Sequence, residues 1–301
     1  MKIGIAGIGK MGAAIAGRLL GFGHEMTVWN RNADKSRATA AAGARVAATP
    51  AELAVASELI ITSLTNAAAI DAVYDGKQGL LAGDISGKLF IEMSTVRPDT
   101  EKSLAAKVKA KGAAFIECPV GGTVVPARDG KLLGFVGGEA ADVARARPVL
   151  DQLCRRVEHL GPVGAGASVK LASNLPLLVY WQALGEALLL CRSAGLEPAR
   201  LMDIFGDTAG GPNVLKVRGA HIVDALNGKF TGPVTFDIDS VRKDLRSMVE
   251  EARSLGSSLP VAERALECFD QAAREGLASQ DAIALPVRWA LQFEGRKTRP
   301  S

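Results

Sequence analysis

Lys2-Ile3-Gly4-Ile5-Ala6-Gly7-Ile8-Gly9-Lys10-Met11-Gly12 follows the initial Met1. Lys2–Ala6 reads as a short buried strand and Lys10–Leu20 as a helix, with a G-x-G-x-x-G turn joining them. That spacing alone is weak evidence, and an ordinary glycine turn is the plainer alternative. Between a strand and a helix each glycine acquires its own task. Gly7 permits the tight turn, Gly9 lets the backbone approach a pyrophosphate, and Gly12 lets the helix pack on the strand. The helix N-terminus adds open amides and the positive end of a dipole. Gly7, Ile8, Gly9, Lys10, Met11 and Gly12 are therefore candidate contacts to a dinucleotide.

Working outward, the first half alternates strands with helices. Strands are predicted at Met26–Trp29, Leu59–Leu64, Lys88–Met93, Ala114–Cys118, Leu132–Val136 and Arg156–Leu160. Helices are predicted at Asp34–Ala42, Ala67–Val73 and Pro98–Lys111. Such alternation implies a doubly wound parallel α/β sheet. The turn cluster Gly161-Pro162-Val163-Gly164 ends it. Beyond lie helical stretches at Ala167–Ala194, Pro198–Phe205, Val214–Leu226, Ser240–Leu255, Pro260–Glu275 and Asp281–Phe293. A domain boundary is expected near residue 162.

The 301 residues exceed one ordinary core, so two domains are the natural division. The 36 basic and 32 acidic side chains leave a net charge of +4, too mild to argue for nucleic acid. The basic tail Arg296, Lys297 and Arg299 reads as a solvated terminus. Cys118, Cys154, Cys191 and Cys268 form no C-x-x-C pair and suggest neither a disulfide framework nor a zinc site, which fits a reducing compartment. Met1-Lys2 runs directly into a strand, without the pattern of a signal peptide. Leu175–Cys191 is apolar enough to suggest a membrane span. It is short for one and carries Pro176, Gln182 and Glu186, so a buried helix between domains is the reading adopted.

The end of the second strand bears on cofactor choice. An NAD site usually places Asp or Glu there to hold the ribose hydroxyls; this chain has Trp29-Asn30-Arg31. An acid would repel a 2′-phosphate, whereas the guanidinium of Arg31 can pair with it and Lys35 can add a second charge. A solvated loop arginine is the alternative. The reading favours NADP, with NAD possible.

Reduction of a carbonyl by hydride leaves an alkoxide, so a proton donor is required. No Tyr-x-x-x-Lys pair exists, because Tyr74 is followed four residues on by Gln78 and Tyr180 by Leu184. His24, His159 and His221 have no catalytic context, and metal ligands are missing. One lysine is well placed, in Gly164-Ala165-Gly166-Ala167-Ser168-Val169-Lys170-Leu171-Ala172-Ser173-Asn174. Lys170 and Asn174 share a helix face and are expected to point toward the interdomain cleft. By composition alone, Lys170 is equally a surface lysine. Pro176 removes the helix bond to the Ala172 carbonyl, so either a kink or a tolerated proline near a helix start is expected.

These residues resemble the β-hydroxyacid dehydrogenase family over the whole chain. Gly7–Gly12 matches its G-L-G-x-M-G, and Asn30-Arg31 resembles its NADPH-using branch. Glu92-Met93-Ser94-Thr95 resembles D-x-S-T, whose threonine lies near the nicotinamide. Cys118-Pro119-Val120-Gly121-Gly122-Thr123 aligns with the substrate motif D-A-P-V-S-G-G, and Gly164–Asn174 with G-x-G-x-x-x-K-x-x-N-N. Phe236 and Lys243-Asp244 resemble the C-terminal F…K-D. The resemblance implies an N-terminal Rossmann domain (1–162), a long interdomain helix and an all-α C-terminal domain (163–301). It implies Lys170 and Asn174 as catalytic residues, and Gly121, Gly122, Thr123, Lys170 and Asn174 as the binding site for a small carboxylate substrate. Leu64, Thr65, Thr95, Phe236 and Lys243 join the cofactor contacts. No metal is implied, and neither is nucleic acid or a membrane. A cytoplasmic homodimer or homotetramer is expected, interconverting a small 3-hydroxy acid with its semialdehyde or keto acid.

Three departures bear on the substrate. The motif serine is Gly121, the second motif glycine is Thr123, and the first asparagine of the N-N pair is Ser173. The rival readings are an imine reductase on the same scaffold and a non-catalytic NADP-binding protein. Retention of Lys170 counts against both.

Overall fold

The computed structural model describes residues 1–230 and 234–291. The basic tail Arg296, Lys297 and Arg299, and the end of the predicted helix Asp281–Phe293, lie outside those residues. The chain divides into two compact units, residues 1–172 and the part from Ser173 onward.

The first unit contains β1 (Lys2–Ala6), α1 (Lys10–Leu20), β2 (Glu25–Trp29), α2 (Arg37–Ala41), β3 (Arg45–Val46), α3 (Pro50–Ala56), β4 (Leu59–Thr62), α4 (Ala67–Asp75), β5 (Leu89–Glu92) and α5 (Pro98–Ala110). It continues with β6 (Ala114–Glu117), β7 (Val120–Gly121), α6 (Val124–Asp129), β8 (Leu132–Gly138), α7 (Ala140–Leu153) and β9 (Cys154–Gly161). Among the described residues nine strands form one sheet, ordered β3-β2-β1-β4-β5-β6-β8, with β7 and β9 also pairing to β8. From β3 to β6 every pairing is parallel. The order reverses between β1 and β4, the crevice where doubly wound sheets bind ligands.

The expected all-parallel sheet needs one refinement. β8 pairs antiparallel to β6 and β7, and β9 then pairs parallel to β8. The six-residue α6 rises only about 9 Å. That is too short to carry the chain back along a strand pair, so β8 returns in the opposite sense.

The central strands serve two cores by their two-residue alternation. Ile3, Ile5, Leu59, Ile61, Leu89 and Ile91 face α1 and α7. Ile60, Phe90 and Phe115 face α3, α4 and α5. Gly4 lies on the second face, where a Cβ would meet Leu53 and Ser57 at 2.5 Å, so its missing side chain lets α3 lie against β1.

α8 (Ala165–Leu190) carries the chain into the second unit, which holds α9 (Pro198–Gly206), α10 (Asn213–Leu226), α11 (Ile238–Ser254), α12 (Pro260–Ala272) and α13 (Ala284–Leu291). α8 is continuous across Pro176. The carbonyl deprived of its bond belongs to Ala172, which is exposed and can meet water instead. Gly185 lets α13 approach α8, because a Cβ there would lie 2.9 Å from that of Trp289. Among the described residues no helix is long and apolar enough to cross a membrane.

Candidate active site

The strands β1, β2, β4 and β5 end along one edge of the sheet, and the predicted cofactor contacts of the first unit gather there. Gly7 follows β1 with φ +102°, and its N–H donates to Trp29 O at 2.9 Å. A Cβ on Gly12 would run into the Gly7 carbonyl, so glycine is what allows α1 to start this close to β1. Gly9 precedes α1, and no side chain caps the helix. The space above Gly9 is open, so a ligand can reach the first amides of α1. An uncapped positive helix end under an open glycine fits a pyrophosphate.

Past β2, Asn30 Nδ2 donates to Asn32 O at 2.8 Å, and Asn32 Oδ1 accepts from Asp34 N at 3.0 Å. Arg31 and Lys35 are exposed. Asp34, the acid nearest to them in sequence, is paired with Arg37 at 2.6 Å. This pairing reduces its repulsion of an incoming phosphate.

The ends of β4 and β5 are tied together. Leu64 N donates to Ser94 Oγ at 2.8 Å, and Ser94 N donates to Glu92 Oε1 at 2.7 Å. Thr62 Oγ1 donates to Glu92 Oε2, and Tyr74 lies 2.9 Å from the Thr62 hydroxyl. Leu64, Thr65 and Thr95 are thereby fixed on one rim, with Thr65 exposed and the other two half-buried.

Gly121 ends β7, and Gly122 and Thr123 follow in the loop before α6. Gly122 has φ +120°, which favours glycine. At Gly121 a Cβ would make only ordinary contact, 3.5 Å from that of Leu133, so the site has room for a serine. Thr123 is exposed, and its hydroxyl makes no capping bond to α6.

Lys170 is buried on α8 in the first unit, while Asn174 lies four residues further along the same helix. Within the second unit, Asn174 Nδ2 is 3.4 Å from Asp244 Oδ2, and Lys243 Nζ pairs with Asp244 Oδ1 at 2.6 Å. Phe236 O accepts from Ala282 N at 2.9 Å. Arg218 supports that segment through Thr235 at 2.7 Å and Asp281 at 2.6 Å. The histidines have other partners or exposure: His24 meets Gln152 and His159 meets the Gly138 carbonyl, both at 2.8 Å, and His221 is exposed.

The structure adds a cluster of buried acids to the site residues. Glu92 and Glu117 end β5 and β6 as register partners, and Glu101 lies in the first turn of α5. All three are fully buried. The signal was present: Leu-Phe-Ile-Glu and Ala-Phe-Ile-Glu each close an apolar strand with an acid. Burial raises all three pKa values, Glu117 to about 7 and Glu101 well above the ordinary range with Glu92 and Glu117 adding to the effect. Neither Glu101 oxygen has a hydrogen-bond partner.

These raised values set the direction of a pH dependence. Acids whose folded pKa is raised contribute stability that is fully present below the unfolded value of 4.5. That contribution is lost as pH rises through the folded values. Thermal stability should therefore fall between about pH 5 and about pH 8. Glu101→Met should weaken that fall and add about 1–3 kcal/mol at the alkaline end, because it removes an unpartnered polar group. Unfolding curves at both ends of the range check this, and a Met variant less stable at the alkaline end contradicts it.

Comparisons with known proteins give the family and the fold. A family model described as the NAD binding domain of 6-phosphogluconate dehydrogenase matches residues 2–161. A second, described as NAD-binding of NADP-dependent 3-hydroxyisobutyrate dehydrogenase, matches residues 164–288. Glyoxylate/succinic semialdehyde reductase 1 of Arabidopsis thaliana is 34% identical over 286 residues, covering 95% of this chain and 97% of that protein. The solved structure of Mycobacterium tuberculosis 3-hydroxyisobutyrate dehydrogenase with L-serine superposes with a TM-score of 0.83 at 26% identity, covering 95% of this chain and 97% of the other. A reductive aminase from Aspergillus terreus, with NADPH and ethyl-5-oxohexanoate, reaches a TM-score of 0.61 at 26% identity, covering 94% and 97%.

Proposed function

The chain belongs to the β-hydroxyacid dehydrogenase family, and from that premise we propose that it reduces a small aldehyde or keto acid with NADPH, using Lys170 as the proton donor. It is an NAD(P)-dependent oxidoreductase acting on CH–OH donors. The observation that carries the finer reading is the retention of Lys170, buried on α8, in a chain whose histidines are held in other contacts or exposed.

The first amides of α1 would hold the pyrophosphate, and Arg31 with Lys35 the 2′-phosphate. Leu64, Thr65, Thr95, Phe236 and Lys243 would line the rest of the cofactor. When bound, the reduced nicotinamide supplies the hydride. Lys170 as ammonium gives its proton to the carbonyl oxygen, so the product is the hydroxy acid; in oxidation the neutral amine takes that proton back. Asn174, held near Asp244, orients Lys170 or the substrate hydroxyl. We keep residue 162, the turn before α8, as the functional division between domains. The family further suggests a homodimer or homotetramer working in the cytoplasm.

The substrate carboxylate is assigned to Gly121, Gly122 and Thr123. Successive glycines leave amides open to an anion. The Thr123 hydroxyl, which makes no capping bond, replaces the serine missing at Gly121. Thr123→Val should raise KM for glyoxylate or succinic semialdehyde about tenfold, as expected for one hydrogen bond to a charged group. KM for an uncharged aldehyde should barely move. Gly121→Ser, for which the strand has room, should restore the acid KM. Paired kinetics at saturating NADPH test this, and equal efficiency for charged and uncharged partners would refute the carboxylate reading. The imine reductase alternative finds some support in the aminase likeness, but that superposition is looser than the one with the hydroxyisobutyrate enzyme.

A further inference from the structure

We propose that Glu117 is a positioning residue, fixing the first turn of α8 so that Lys170 is presented in one place; this rests on Lys170 being the proton donor. Glu117 ends β6 and is fully buried. Its Oε1 accepts from Gly164 N at 2.6 Å and from Gly166 N at 2.8 Å. The first amides of a helix have no partner within it, and a carboxylate there also meets the positive end of the dipole. One side chain from the sheet thus anchors the start of the helix. Lys170 lies about 6 Å further along that helix axis.

Glycines shape the slot that holds this carboxylate. A Cβ on Gly137 would collide with Glu117 Oε1. One on Gly166 would lie 3.2 Å from Oε1 and run into the Phe135 carbonyl. Gly164 has φ +103°, and a Cβ there would lie 2.7 Å from Lys102 Cε. The G-x-G spacing at the start of α8 therefore has a physical reason: both amides must reach one buried oxygen.

The ionisable groups around Glu117 are Lys102 and Glu101 of α5, Glu92 of β5 and Cys118 next in the chain. His159 of β9 lies across β8, bonded to the Gly138 carbonyl. Burial raises the carboxyl to about 7, opposed by the amides of Gly164, Gly166 and Ala167 and by Lys102. Ionised, it grips the helix amides more strongly than when neutral. The grip is full above that value and weakens below it.

Glu117→Gln keeps the shape and one acceptor but cannot ionise, while Glu117→Asp keeps the charge on a shorter arm. In the Gln variant, hydrogen exchange at the amides of residues 166–170 should rise about tenfold, as expected when charge-assisted bonds become neutral ones. Its kcat should fall about tenfold by misplacement of Lys170, with NADPH affinity in a fluorescence titration near wild type. The wild-type loss of kcat below about pH 7 should vanish in Gln and persist in Asp. Unchanged exchange in Gln overturns the proposal whatever Lys170 does. Faster exchange with unchanged kcat and pH profile also overturns it, since Glu117 would then serve the fold alone. Lys170→Ala, run alongside, separates the two readings. If it keeps turnover, the lysine reading fails and the proposal with it. If it is inactive while Glu117→Gln matches wild type throughout, the proposal fails alone.

Discussion

Lys170→Ala is expected to lower kcat by ~10²–10⁴-fold, the usual contribution of a positioned acid or base, with NADPH affinity close to wild type. Removing the ammonium takes away an interaction made as the alkoxide develops, not one that holds the cofactor. Several other titratable groups are committed elsewhere. His24 and His159 bond to Gln152 and to the Gly138 carbonyl. Tyr74 is buried against Thr62 and Glu92. Glu92, Glu101 and Glu117 are fully buried. Steady-state rates with glyoxylate or succinic semialdehyde check the prediction. Turnover near that of the wild type would mean that the proton comes from another group.

Asn30→Asp combined with Arg31→Ser should turn the cofactor preference from NADPH toward NADH. A hydrogen bond to a charged group contributes about 1.5–3 kcal/mol, so losing the guanidinium should cost roughly 10- to 150-fold in kcat/KM for NADPH. The new carboxylate adds repulsion of the 2′-phosphate and offers the ribose hydroxyls an acceptor. Arg31 is exposed beyond β2, and Asp34 is already neutralised by Arg37, so the native loop presents net positive charge to an incoming group. The ratio of kcat/KM for the two cofactors is the measurement. An unchanged ratio would place recognition of the 2′-phosphate elsewhere, with Lys35 the next residue to test.

The sheet was legible in the chain because its buried strands are short apolar runs, and because the glycine turn sits between a strand and a helix. What escaped was weaker in pattern. α3 carries a readable start signal, since Thr49 accepts from Glu52 N at 3.1 Å with Pro50 in the first turn, but a helix this short shows little periodicity. α7 buries Val143, Ala146, Val149, Leu150 and Leu153 at helical spacing, obscured by Pro148 and by arginines. β3 and β7, two residues each, lie below any period. Among the site residues, the glycine turn and Lys170 announced themselves by motif. Glu117 stands where the substrate motif opens with its acid, but its role was not legible, because its partners Gly164 and Gly166 lie far along the chain and only the fold brings them together.

The central claim is that this enzyme reduces small aldehyde acids with NADPH. Following NADPH consumption by the purified protein against a matched panel tests it most directly. The panel pairs glyoxylate and succinic semialdehyde with uncharged aldehydes of similar size and a cyclic imine. The expected result is rapid oxidation of NADPH with at least one of the acids, far slower turnover of the uncharged aldehydes, and none of the imine. Preferential turnover of the imine, or no oxidation with any carbonyl acid, would contradict it.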